Sequence, residues 1–546
     1  MIMIRGRFAN LKVSRRSALL LVCLLSILVL SAFVRVSPYL TNNYRFNIGF
    51  DTGLYEQLLG YYDNSAEWKD LPAYPDFPAS FQPNEKWIEP GFFVVTSLAQ
   101  STFGADTHWI FEFYVPTLAS MLLVLVCFVA GRNLARSNWA GLFAASLIAV
   151  SYVQVWAVNE SYYRQIFATF LLVLSLVYLD RYIEGRNRKN LIVFTLLASG
   201  TVAFHMSIAL LVAMILAFLF LYFGLTKRKN FIRPLAASTA GIVILSIPSW
   251  APRLNDLLTM AVTAGTQSTW RASTLLTGEG LWEAGGAIPG ILWGFPHVLV
   301  GYIIIFSPVT IMAIAGYIVL RKQRMLYYAM PALSLILWVY IGFWLFFGNR
   351  MLINLDLLLC IISPLGLVYL FTRYRGPLKR WLLVTVVVSV VFLSNLTIVT
   401  IYQQQNGPYI TNGLEGVRWI EENMNQSDSV IFAPDYLSSD VAQLGFSVSI
   451  WDYSLVGDYP NPRMINEQFL LEAPSNLSFL QKFFSENPGY LQKDIYVLWG
   501  TDDLTKPLTY ANQKIPFDQY SVSPYFRIEY SGSGDLLIIY KYIGPR

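Results

Sequence analysis

FNIGFDTGLYEQLLGYY, residues 46–62, places Asp51 and Glu56 among aromatic and aliphatic side chains, shortly after an apolar run long enough to cross a bilayer. How this stretch is read decides the fold. Charges at the outer ends of membrane helices cost little because water is near, so a lone acidic loop residue there carries no functional meaning. Asp51 also suits a helix N-cap, since Asp is favoured at that position and TGLYEQLLGYY is compatible with a helix. Capping and chemistry can coexist in one carboxylate. Glu56 lies about 140° further round such a helix, so the two acids do not share a face, and Glu56 reads as a solvated residue.

The rest of the chain supplies the context. Its 546 residues are 55% hydrophobic, 15% aromatic and only 13% charged, the balance of a polytopic membrane protein. Apolar runs of spanning length fall near 18–38, 110–130, 139–157, 165–180, 191–206, 207–224, 234–250, 297–320, 325–346, 351–371 and 381–401. This predicts an all-α membrane bundle of about eleven transmembrane helices. With the N-terminus inside, 22 of the 39 lysines and arginines lie on the inner side, 8 on the outer side, and 9 follow residue 402. The positive-inside rule then orients the protein N-in and C-out in a cell membrane. The basic lead MIMIRGRFANLKVSRR resembles a signal peptide, but VRVSPYL is a poor cleavage site, so the first run reads as a retained helix. The net charge of +5 reflects this sidedness and implies no nucleic-acid partner. Cys23, Cys127 and Cys360 all fall in predicted spans, which leaves the outer segments without a disulfide framework or a thiolate metal site.

Two connections in the membrane part are long, and both face outward. Residues 39–109 carry nine carboxylates and end in GFFVVTSLAQSTFG, which is too short to span and is predicted to lie as a helix in the interface. Residues 251–290 contain TGEGLWEAGGAIPG, an irregular segment that reads either as a gate or as a plain external connection. The chain thus divides into a membrane domain, 1–402, and a soluble extracytoplasmic α/β domain, 403–546. In the latter GLEGVRWIEENM reads as an amphipathic helix, SVIFAP and DIYVLWG as buried strands, and FRIEYSGSGDLLIIYKY as a hairpin.

Unlike groups gather on the outer face of this topology. They are Asp51 and Glu56 after the first span, Glu160 and Arg164 in NESYYRQ, His205 in FHMS and Arg350 in GNRM. Such a mixture suits displacement of a phosphate-linked group. A base takes the proton of an incoming hydroxyl or amide, and cations or a metal hold the departing phosphate charge. Each residue also has an ordinary reading. Glu160 and Arg164 at i and i+4 make a local pair worth a few tenths of a kcal/mol, His205 suits an interface, and Arg350 suits a snorkelling helix end.

GFDTGLYEQLL after the first span resembles the first external loop of the GT-C superfamily, multi-spanning glycosyltransferases that use polyprenyl-phosphate sugars. EKWIEPGFFVVTSLAQSTFG is similar to the stretch of those enzymes in which a proline precedes an interfacial helix ending in Phe-Gly. The resemblance implies Asp51 as the catalytic carboxylate. VNESYYRQIFATFLLVLSLVYLDRYIE resembles the second external loop and following helix of the oligosaccharyltransferase catalytic subunit, implying Glu160 as a second carboxylate or metal ligand. GNRMLINLDLLL resembles the late helix whose leading Arg, here Arg350, meets the lipid phosphate. The oligosaccharyltransferase Trp-Trp-Asp-Tyr motif is replaced by Ala433, Pro434, Asp435 and Tyr436, which favours a monosaccharide transferase.

The implied activity is transfer of a sugar from a polyprenyl-phosphate-linked donor in the membrane lipid to a protein, lipid or glycan acceptor. Asp51 and Glu160 would hold a divalent cation, Mg2+ or Mn2+, if one is used, and Arg350, His205 and Arg164 would bind the lipid phosphate. YYRQIFA followed by FHMSIALL is also similar to exopolysaccharide polymerases, which would make Arg164 and His205 the active pair. A non-enzymatic transporter or flippase of lipid-linked sugars is the rival from another class, although it would place charge at the membrane midplane, where Asp356 is the exception to largely uncharged spans.

Overall fold

The computed structural model describes residues 15–41, 90–104, 109–159, 161–250, 307–320, 351–373, 428–434, 462–500, 515–532 and 537–545. It also describes short pieces between them, among them Tyr55, Leu59 and residues 419–425. Asp51, Glu160 and Arg350, the 251–290 connection and the 325–346 run lie outside the described residues.

The chain is a helical, multi-pass membrane protein with a C-terminal mixed-sheet domain. Its membrane helices are α1 (Arg15–Thr41), α2 (Pro90–Phe103), α3 (Val115–Ala135, entered through a π turn at Ile110–Tyr114), α4 (Asn138–Ala149), α5 (Tyr152–Asn159) and α6 (Tyr163–Gly185). They continue with α7 (Arg188–Phe204), α8 (Met206–Leu225), α9 (Lys229–Trp250), α10 (Ser307–Leu320) and α11 (Met351–Arg373). Among the described residues six helices, α1, α3, α6, α8, α9 and α11, are long and apolar enough to cross a membrane. Leu123, Ile166, Val177 and Ile361, from α3, α6 and α11, are wholly buried, whereas Leu21, Val29 and Phe33 of α1 are exposed. That is the expected pattern when lipid is the solvent and helices associate by close packing. At the α10–α11 contact a Cβ on Gly366 would overlap Met312 O, so only glycine lets these backbones meet.

Arg136 pairs with Glu184 at 3.1 Å, and Asn133 joins Asp180 at 2.9 Å while accepting from Arg181 Nε at 3.0 Å. These contacts gather the arginine-rich ends of α3 and α6 at one end of the bundle. The joint between α7 and α8 and the start of α6 lie at the other.

The apolar run 139–157 does not form one helix, contrary to the expectation from hydropathy. It breaks at Val150 and Ser151 into α4 and α5. A break inside the bundle leaves carbonyls at one helix end and amides at the other without intrahelical partners. Arg35 of α1, fully buried, donates to Ile148 O at 2.8 Å and Ala149 O at 2.9 Å. It also donates to Ser31 Oγ at 2.7 Å. Asp356 of α11, also fully buried, accepts from Ser151 Oγ at 2.8 Å and Gln154 Nε2 at 2.9 Å.

The C-terminal domain contains strands β1 (Ser429–Phe432) and β2 (Ser447–Val448), helices α12 (Pro462–Glu472) and α13 (Leu477–Glu486), strand β3 (Asp494–Gly500), helix α14 (Phe517–Val522) and strands β4 (Phe526–Ser531) and β5 (Leu537–Tyr542). The sheet order is β2-β1-β3-β5-β4. β2, β1 and β3 run parallel, with Val430 opposite Ile495, and β5 is antiparallel to both β3 and β4. Both faces are covered. Val430, Phe432, Val497, Trp499 and Tyr540 pack with α12, α13 and α14, and Phe432 stacks on Phe469 with centroids 3.9 Å apart. Ile431, Leu498 and Ile539 pack with Ile420 and Met424 of the predicted amphipathic helix. Two covered faces explain why SVIF and DIYVLWG read as continuous apolar runs instead of alternating ones.

Lys541 of β5 donates to Asp494 Oδ2 at 2.7 Å, and this hydrogen bond raises the lysine pKa. Burial raises the Tyr520 phenol well above its usual value. Both groups therefore keep their protons in the fold to a higher pH than in the unfolded chain. The domain's stability should be full below about pH 10 and fall as pH rises through the folded values. Pulse proteolysis of the wild-type chain and Lys541→Met from about pH 9 to about 11.5 checks this, the variant losing less stability over that range.

Candidate functional site at one end of the bundle

The opening stretch reaches the bundle through Tyr55 and Leu59, helical residues one turn apart and almost wholly buried. The Tyr55 ring packs edge-on against Phe92 and Phe93 of α2, at 5.3 and 6.1 Å, and tilted against Phe111 of the π turn and Tyr163 of α6. Arg164 Nε donates to the Tyr55 hydroxyl at 3.2 Å, with the guanidinium carbon 5.0 Å from the ring centroid. Each such aromatic pair contributes about 0.5–1.5 kcal/mol beyond the area it buries. The cluster thus ties Tyr55 to three separate elements.

Local sequence prepares each contributor. Pro90 opens α2, where its missing N–H is no loss. Gly91 lets α2 approach the end of α7, because a Cβ there would stand 2.8 Å from the Phe204 ring. Phe92, Phe93 and Thr96 face the bundle while Val94, Leu98 and Phe103 are exposed, the division expected of a helix lying in the interface. Pro116, at the start of α3, marks the point where the π turn gives way to regular helix.

Of the predicted site residues, Arg164 stands in this cluster with one N–H already donated to Tyr55. His205 is the single residue between α7 and α8. Its backbone is extended, at φ −161° and ψ 122°, its N–H donates to Thr201 O at 3.1 Å, and its carbonyl accepts from Ala209 at 3.0 Å. Phe167 and Phe204 stack at 5.8 Å and 5°, which brings the first turn of α6 and the residue before His205 to the same end. Asp51, Glu160 and Arg350 lie outside the described residues, although Tyr55, Ser161 and Met351 beside them are described. Among the described residues no three His, Cys, Asp or Glu side chains form a metal cradle. The Tyr55–Arg164 contact, and the placing of Arg35 and Asp356 at the α4–α5 break, were not foreseen from sequence. The available signals were a tyrosine four residues after Asp51 and two ionisable residues inside apolar runs.

Among solved structures the chain is similar to ArnT from Cupriavidus metallidurans in the apo state. The TM-score is 0.55 at 10% sequence identity, and the match covers 98% of this chain and 100% of that one. A second structure, ArnT from the same organism bound to undecaprenyl phosphate, matches at a TM-score of 0.48 and 12% identity, over 97% of this chain and 99% of that one. No protein-family model and no curated protein matches the sequence.

Tyr55→Phe and Arg164→Leu are each expected to cost about 0.5–1.5 kcal/mol. The double variant should cost less than the two together, since both remove the same hydrogen bond. Equilibrium unfolding of the four proteins in mixed micelles measures the coupling, and strict additivity would mean that the contact contributes nothing.

Proposed function

We propose that the chain is an integral membrane glycosyltransferase that moves a sugar from a polyprenyl-phosphate-linked donor to an acceptor on the extracytoplasmic side. The observation that carries this reading is the fold likeness to ArnT over nearly the whole of both chains. The Tyr55–Arg164 cluster at the end of the bundle opposite the arginine-rich one adds to it. In this proposal eleven spans run N-in and C-out, the membrane domain ends near residue 402, and residues 403–546 stand outside the cell membrane.

Asp51 acts as general base. It takes the proton of the acceptor's hydroxyl or amide as that group attacks the anomeric carbon of the sugar. The bond from that carbon to the phosphate oxygen breaks, and its electron pair leaves with the lipid phosphate. Arg350, with His205 and Arg164, steadies the charge that develops there. Glu160 orients the acceptor or, with Asp51, would hold a divalent cation, which would supply further charge stabilisation to the phosphate.

The broken helix favours the transport reading to a degree, because discontinuous helices build transporter sites. Here, however, Arg35 and Asp356 of the chain itself occupy its two ends, which favours the transferase.

Purified protein incubated with a panel of polyprenyl-phosphate sugars, with and without divalent cations, should consume one lipid donor. Asp51→Asn should lower that turnover by about 10²–10⁴-fold with expression intact. Wild-type turnover by this variant would remove Asp51 from the mechanism, and transmembrane movement of an intact donor without cleavage would support the transporter.

A further inference from the structure

The α4–α5 break carries opposite charges from two other helices, each where the helix dipole favours its sign. Arg35 lies on the carbonyl end of α4 and Asp356 at the amide end of α5. Hydroxyl side chains would satisfy such a break at far less desolvation cost than two buried ionisable groups. The charges therefore ask for a role beyond filling hydrogen bonds.

That role follows from what α5 leads to. It has only eight residues, so it is a lever of about 12 Å. At its far end Ser161 turns the chain in a left-handed conformation, φ 59°, with Ser161 N–H donating to Val158 O at 3.0 Å and Tyr162 N–H to Ala157 O at 2.9 Å. The chain passes directly into Tyr163 and Arg164, which hold Tyr55. Gln154 is fastened twice to α11, through Asp356 and through Ile353 O at 2.9 Å, and Val155 packs on Val34, the neighbour of Arg35. A tilt of about 5° at the break would move the turn by about 1 Å, a displacement that costs on the order of a hundredfold in rate at a reacting centre.

We propose that Arg35 and Asp356 are positioning residues. Arg35 clamps α4 to α1 and Asp356 clamps α5 to α11, and together they hold the Ser161–Arg164 stretch in place against the Tyr55 cluster. Their contribution to turnover rests on reading the outer end as the transfer site. Their effect on the turn does not.

The test uses full-length protein in lipid nanodiscs, with Cys23, Cys127 and Cys360 replaced by alanine and Ser161→Cys as reporter. Ser161 is wholly buried, so a membrane-impermeant maleimide should label the parent slowly. Asp356→Asn keeps the shape and an acceptor but drops the charge, and should raise the labelling rate about tenfold. Arg35→Lys, which keeps the charge but loses the forked contact to two carbonyls, should do likewise. Leu219→Ala, a core truncation in α8, serves as control and should leave labelling near the parent rate while lowering the unfolding midpoint. In the donor-cleavage assay the two positioning variants should lower kcat about tenfold or more with KM for the lipid donor within about twofold. Unchanged labelling in Asp356→Asn and Arg35→Lys, or an equal rise in Leu219→Ala, overturns the proposal. If the parent cleaves no donor while the labelling pattern holds, the positioning role stands and the transferase reading fails.

Discussion

Hydrocarbon offers no water to an unpaired carbonyl or amide, and every feature of the membrane part answers to that constraint. Most of the described membrane helices meet it by pairing backbone groups within the helix. At the α4–α5 break Arg35 of α1 meets two backbone carbonyls, and Asp356 of α11 holds the Ser151 and Gln154 side chains. Both groups are charged and fully buried, so truncating Arg35 leaves open carbonyls, and truncating Asp356 leaves two buried polar side chains without this acceptor. The short helix between these two groups leads, past Ser161, to the Tyr55 cluster.

That cluster solves a second problem, how Tyr55, in the stretch after α1, is fixed to the bundle. Tyr55 inserts its ring among Phe92, Phe93, Phe111 and Tyr163, and its hydroxyl finds a donor in Arg164. The ring anchors and the hydroxyl orients. Gly91 makes the arrangement possible by letting α2 lie against Phe204, so one small residue sets how closely α2 approaches the end of α7 beside His205.

The C-terminal domain depends on burial in the ordinary sense. Its central parallel strands are covered on both faces, by α12–α14 on one side and residues 419–424 on the other. The antiparallel β4–β5 pair extends the sheet beyond β3. This arrangement needs crossovers between the parallel strands, and α12 and α13 supply one of them.

Sequence alone determined what depends on neighbouring residues and on the solvent. Apolar run length revealed a membrane protein, the distribution of lysine and arginine grouped the helix ends, and GFFVVTSLAQSTFG marked α2 almost to the residue. DIYVLWG coincides with β3, and FRIEYS and LIIYKY with the hairpin strands, because strand and helix periodicities are local. The two-residue β2 escaped notice, being too short to show a period. The split of residues 139–157 escaped because hydropathy counts apolar residues and says nothing of whether they share one axis. Tyr55 and Arg164, and the two groups Arg35 and Asp356 that meet the α4–α5 break, are far apart in the chain. Which helices pack side by side, and at what depth each polar side chain arrives, is settled only when the whole bundle closes, so those contacts belong to the tertiary structure.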